Sequence, residues 1–138
     1  MLGSPRQRRI RSATVERNLA EVATAAITFY RHSFPIAASL FSDPALLGAH
    51  RDALAARDAG PHVPSRALAR YLTAEQAAGG ICRESDPDAA AAMLLGCCLQ
   101  FGFLGHFTDQ AYDETEAANY ATRLAKTLVR GLHTHRNK

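Results

Sequence analysis

Residues 89–107 read AAAAMLLGCCLQFGFLGHF, nineteen positions without an Asp, Glu, Lys or Arg. A run of about 18 apolar residues is long enough to span a bilayer, so the fold depends on what this segment is. It leans on alanine and glycine and contains Gln100 and His106. Asp86, Asp88 and Asp109 stand beside it, and Lys or Arg anchors are missing from its ends. The segment therefore reads as a helix of a globular protein. On a helical wheel Ala90, Met93, Leu94, Cys97, Phe101 and Leu104 share one face, while Leu95, Leu99, Phe103 and Phe107 share the other. A helix apolar on all sides is expected to be buried on all sides, by its own core and by a second subunit.

The flanking sequence supports this reading. With 138 residues, 47% hydrophobic and 21% charged, the chain fits one globular domain with a substantial core. Alanine supplies much of the apolar fraction and Trp is absent, so the class is all-α, a bundle of about five to six helices. Val15, Leu19, Val22, Ala23, Ala26, Ile27 and Tyr30 recur at helical spacing and predict an amphipathic helix over about 13–33, stopped by Pro35. A short helical piece, PIAASLF, follows. Asp43-Pro44 and Asp86-Pro87 have the form of an N-cap carboxylate before a proline at the first helical position. The helix opened by Asp43 is expected to end near Gly60-Pro61. The next, from about Val63–Ser65, carries Leu68, Tyr71 and Leu72 and ends at Gly79-Gly80. A last helix, about Asp113–Leu132, has Glu114 and Glu116 in its first turn and Lys126 and Arg130 towards its end, matching the helix dipole.

The net charge of +3 is unevenly placed, because Arg6, Arg8, Arg9 and Arg11 crowd the first eleven residues and the remainder is near neutral. Residues 1–12 read as a flexible basic tail, 13–133 as the domain and 134–138 as a flexible C-terminal tail. No apolar stretch follows the N-terminal charges, so no signal peptide is read there. Three cysteines, two of them adjacent, do not make a disulfide framework, and a reducing cytoplasm fits best.

Reactive chemistry is sparse. No nucleophile elbow, P-loop, HExxH helix or dinucleotide fingerprint is present. Glu75, Asp86 and Asp88 have cap or surface explanations. Cys97 and Cys98 point roughly 100° apart on a helix and do not chelate, and His133 and His135 fall in the tail. Neither enzymatic activity nor a cofactor nor a metal is expected.

The runs RALARYLTAEQAAGGI (66–81) and DPDAAAAMLLG (86–96), preceded by FYRHSFPIAASLFSDPALL (29–47), resemble the C-terminal regulatory domain of TetR-type transcriptional repressors. There a helix ending YLxxEQxxGxI is followed by an acidic-Pro cap and an alanine-rich helix. The resemblance covers about Thr14 to His133. It implies a homodimer built by the last two long helices as a four-helix bundle, and a cavity for a small apolar or amphipathic effector that controls DNA binding.

On that reading the candidate ligand residues are Phe29, Phe41, Tyr71, Met93, Cys97, Gln100, Phe101 and Leu104, with plain core packing as the competing role for each. The candidate interface is Leu95, Leu99, Phe103, Ala117, Ala121, Leu124, Ala125 and Leu128. Gln100 stands out, because a buried amide needs a partner. About a dozen residues precede the first regulatory helix, too few for a helix-turn-helix. The chain is thus expected to be a fragment of a longer regulator, an isolated domain or the product of a misplaced start, and to meet DNA only through a further domain. The alternative is a small helical oligomerisation or binding protein with neither effector nor catalysis.

Overall fold

A computed structural model describes residues 3–132, which form five helices and, among those residues, no strand. They are α1 (Pro5–Phe41), α2 (Pro44–Ala55), α3 (His62–Ala77), α4 (Pro87–Phe107) and α5 (Glu114–Gly131). The all-α bundle expected from composition is what the chain adopts. The expected tail 134–138, with His133 and His135, lies outside the described residues.

Two boundaries of the first helix differ from expectation. It starts at Pro5 rather than near residue 13, so the basic segment is largely helical. The cause is a capping box: Ser4 Oγ accepts from the Gln7 N–H at 3.2 Å and Gln7 Oε1 accepts from the Ser4 N–H at 2.9 Å, with Pro5 in the first turn. The helix also runs through Pro35 to Phe41. A proline inside a helix has no N–H for the carbonyl four residues earlier, here that of Arg31. His106 Nε2 lies 2.5 Å from that oxygen, so with its proton on Nε2 the imidazole supplies the missing donor from α4.

With α1 extended at both ends, it becomes the centre of the molecule. Val15, Leu19, Ala23 and Ile27, four residues apart, are completely buried on one stripe, and α1 packs on both α4 and α5. The facing stripe of α5 is Ala117, Ala121, Ala125 and Val129. Small residues opposite Leu and Ile let the two backbones come close without leaving voids. These alanines were expected at a subunit interface. The structure corrects that: Ala117, Ala121 and Ala125 have no exposed surface and face α1 of the same chain, and Leu95 is buried too.

The caps expected at Asp43 and Asp86 form, and Asp113 adds a third. Asp43 Oδ1 accepts from Leu46 N–H, Asp86 Oδ1 from Ala89 N–H, and Asp113 Oδ1 from both Thr115 and Glu116 N–H. The α2 helix stops at Ala55, earlier than expected, and contributes no buried residue. At the end of α3, Gly79 adopts φ +84°, and the Gly79 and Gly80 N–H groups return to the carbonyls of Gln76 and Glu75. This is a Schellman turn, which favours glycine because φ is positive.

The YLTAEQ segment owes its form to three contacts. Tyr71 Oη accepts from Asn18 Nδ2 at 2.9 Å and Glu75 pairs with Arg11 at 3.0 Å. Gln76 Nε2 lies 2.9–3.0 Å from the carbonyls of Cys82, Arg83 and Ser85, lacing the loop before α4.

Candidate functional site: a cleft beside the exposed face of α4

The most apolar helix is not the most buried. Over α4 the inward residues are Ala90, Ala91, Leu94, Leu95, Cys98 and Gly102, packed against α1 and α3. Met93, Gly96, Leu99, Gln100, Phe103, Leu104 and Phe107 recur at spacings of three and four and face outward, with Met93 62% and Phe107 77% exposed. Within one chain, then, the core covers the inner side of the helix and leaves the outer side open. The helix is 21 residues long and holds an 18-residue window with a mean hydropathy of 1.6, enough by length and composition to cross a membrane, and one third of that window is buried.

At the C-terminal end of α4 lies a cleft of about 360 Å³, open to the surface on one side. Its floor and walls come from α1 (Arg31), α4 (Gln100, Phe101, Leu104, Gly105), the connecting loop (Gln110, Tyr112) and the start of α5 (Asp113, Glu116, Tyr120). Phe101 and Tyr120 stack with centroids 5.0 Å apart, and the Arg123 guanidinium lies 5.9 Å from the Tyr120 ring centre. Burial, then nearby Cys97 and Cys98, raise the Tyr120 phenol above its ordinary range, so it stays a neutral donor at the wall. Tyr112 Oη shares a 2.8 Å hydrogen bond with Thr28 Oγ1, fixing the loop to α1.

Arg31 carries the electrostatics of the cleft. Its Nη2 donates to the Gln110 carbonyl, and its Nη1 is shut off from solvent without a hydrogen-bond partner among the described residues. The guanidinium occupies the space beside Gly105, where a Cβ would collide with Nη1. Glycine at 105 is what allows the arginine to lie between the helices. Of the two carboxylates that also line the cleft, Asp113 is engaged in capping α5 and Glu116 is exposed.

Three of the eight expected ligand residues, Gln100, Phe101 and Leu104, line this cleft. The other five do not. Phe29 and Phe41 are 63% and 73% exposed, Met93 is on the outward face of α4, Tyr71 is tied to Asn18, and Cys97 is half-buried without lining it. Gln100 is exposed at the rim, not buried as expected, because α4 turns that edge outward.

Of the expected interface residues, Leu99 and Phe103 lie on the outward face of α4, and Leu124 and Leu128 are half-buried on α5. Phe103 also packs on Phe34 of α1 at 5.4 Å.

Sequence reasoning missed Arg31, Tyr112 and Tyr120. The one available signal was the proline four residues after Arg31, which marks a helix turn needing outside support.

Cys98 is a core thiol, fully buried, with Sγ 3.6 Å from the Ala23 carbonyl. Burial, and secondarily Cys97, push its pKa up to about 12, so at neutral pH it is not a nucleophile. Among the described residues no three of His, Cys, Asp and Glu gather as a metal site. Comparison of the chain with protein-family models, with curated proteins and with solved structures returns no match.

Proposed function

We propose that this chain is the effector-sensing and homodimerisation domain of a cytoplasmic TetR-type transcriptional regulator. A second copy covers the outward face of α4, and a small apolar or amphipathic ligand sits in the cleft. DNA binding belongs to a helix-turn-helix domain beyond these 138 residues, and the domain itself is not catalytic.

The observation that carries this reading is the position of Gln100 and Leu104. Both line the cleft and both belong to the uncharged, solvent-facing stripe of α4. Apolar stripes of this length on a helix are characteristic of protein contacts. Half-buried Leu124 and Leu128 of α5 add apolar surface to the bundle, and pairing α4 and α5 with their copies would make a four-helix interface. A ligand that moves Gln100 or Leu104 would then repack the dimer, which is the differential affinity that effector control requires. Charged residues on the exposed parts of α1 and α5 favour water over lipid around the same bundle.

The openness of the cleft favours one second reading, a helical assembly protein without an effector. The decisive measurement is sedimentation velocity at micromolar concentration. The wild-type chain is expected to be a dimer, and Leu99→Glu is expected to be a monomer with unchanged helicity, since that side chain is 43% exposed within one chain. A wild-type monomer, or a Leu99→Glu dimer, would refute the proposed interface.

A further inference from the structure

We infer that the cleft selects a small carboxylate, with the acid group on the Arg31 guanidinium and an aromatic or short aliphatic body against Phe101, Tyr120 and Leu104. This rests on the reading of the cleft as the effector site and adds the chemical class of the effector.

Three observations point the same way. The first is the guanidinium itself. Among the described residues Nη1 is excluded from water and has no acceptor, whereas Nη2 has one. A buried donor left unpaired carries its full desolvation cost, larger when the group is charged. An incoming carboxylate relieves it, and the planar fork of arginine fits the two oxygens of that group side by side.

The second is the setting of Arg31. The arginine and Gly105 both line the cleft, and the guanidinium fills the space that a side chain at 105 would take. The Gln100 amide at the rim has no hydrogen-bond partner among the described residues and supplies a second donor.

The third is size and lining. A volume of about 360 Å³ is at the small end for ligand pockets, and the stacked Phe101–Tyr120 pair gives a flat apolar wall. These features suit a compact acid with one planar or short apolar part.

Two carboxylates also border the cleft, and they set the selectivity. Asp113 Oδ1 is held by two α5 N–H groups, which offset its charge. Glu116 is exposed and has no ion-pair partner among the described residues, so its charge opposes an incoming anion. Its neutralisation should therefore strengthen carboxylate binding, whereas a cation-selective cleft would respond in the opposite direction.

The test is calorimetric titration of the full chain with benzoate, phenylacetate and hexanoate, and with benzamide and benzylamine as neutral and cationic partners of similar shape. Saturable binding of at least one acid is expected. Benzamide should bind about tenfold more weakly than benzoate or worse, and benzylamine should not saturate. Arg31→Gln should weaken the acid about tenfold, and Glu116→Gln should tighten it about two- to threefold.

Binding of none of the acids, benzamide or benzylamine equal to benzoate, or an Arg31→Gln affinity equal to wild type would each overturn the inference. Should Arg31→Gln fail to fold, Glu116→Gln still decides, because unchanged or weaker acid binding contradicts an anion site. Sedimentation of the same samples separates the two readings. A dimer that binds no acid ends the carboxylate inference alone, and a monomer that binds acid ends the dimerisation reading alone.

Discussion

Helices α1 and α4 exchange the roles that their compositions suggest. α1 carries Arg6, Arg8, Arg9, Arg11, Glu16, Arg17, Glu21 and Arg31, yet it is the helix on which both α4 and α5 pack. α4 carries Asp88 as its one acidic or basic residue besides His106, yet its outward side is open from Met93 to Phe107. The difference lies in periodicity. On α1, Val15, Leu19, Ala23 and Ile27 form one fully buried stripe with Ala20, Ala26 and Tyr30 half-buried beside it, while Arg17 and Glu21 lie exposed, so the pattern favours one orientation. On α4 every direction is apolar, so hydrophobicity alone selects no face. Packing selects it instead: Ala90, Ala91, Leu94, Leu95, Cys98 and Gly102 meet α1 and α3, with Gly102 close to the α1 backbone, while Met93, Gly96, Phe103 and Phe107 are left towards solvent.

The largest test of this contrast is a matched truncation. Leu19 on α1 has no exposed surface, and Leu19→Ala should cost about 2–5 kcal/mol from lost transfer energy and the cavity left behind. Leu99 on α4 is 43% exposed, and Leu99→Ala should cost well under about 1 kcal/mol in the monomer. Urea unfolding measured at concentrations low enough to keep the chain monomeric reads both. Equal costs would mean that α4 is covered within one chain and that the contrast is wrong.

Features that the sequence reveals are those whose cause is local. Asp43 and Asp86 cap helices because each is followed by residues whose N–H groups it can reach, and Gly79 ends α3 because the turn needs its positive φ. The apolar stripe of α5 was equally visible, but not its partner. Ala117, Ala121 and Ala125 accept any helix that approaches closely, and α1 of the same chain is the one that does. The cleft was legible in part for the same reason. Gln100, Phe101 and Leu104 lie within one turn and were found together, whereas Arg31, Tyr112 and Tyr120 join them from three other segments.

The reading of Pro35 as a helix stop failed on a contact between residues 75 positions apart, the His106 imidazole and the Arg31 carbonyl. That contact ties the C-terminal part of α1 to the C-terminal end of α4, next to the cleft. His106→Ala leaves the carbonyl without its donor and should cost about 1–3 kcal/mol. Pro35→Ala restores the N–H within α1, so in that background the cost of His106→Ala should fall by about half or more. Urea unfolding of the four proteins in this cycle measures the coupling. Additive costs would show that His106 stabilises the bundle by packing, as its stacking on Phe34 at 6.0 Å also allows, and not by replacing the proline's missing donor.

The smallest effects separate the two sides of α4 most sharply. At Gly102 a Cβ would lie 3.1–3.3 Å from Arg31 N, Tyr30 C and Tyr30 Cβ, and two of those three are backbone atoms that move only if α1 and α4 part. At Gly96, on the outward side, a Cβ would meet nothing within 4 Å. Both positions gain the same helix propensity from alanine, about 0.8–1 kcal/mol. At Gly96 that gain should appear in full as higher stability of the monomer. At Gly102 crowding of the two backbones should cancel it or reverse it by on the order of 1 kcal/mol. The sign of the difference between Gly96→Ala and Gly102→Ala thus reports which side of the most apolar helix faces the core, and a Gly102→Ala protein as stable as Gly96→Ala would place the α1–α4 contact elsewhere.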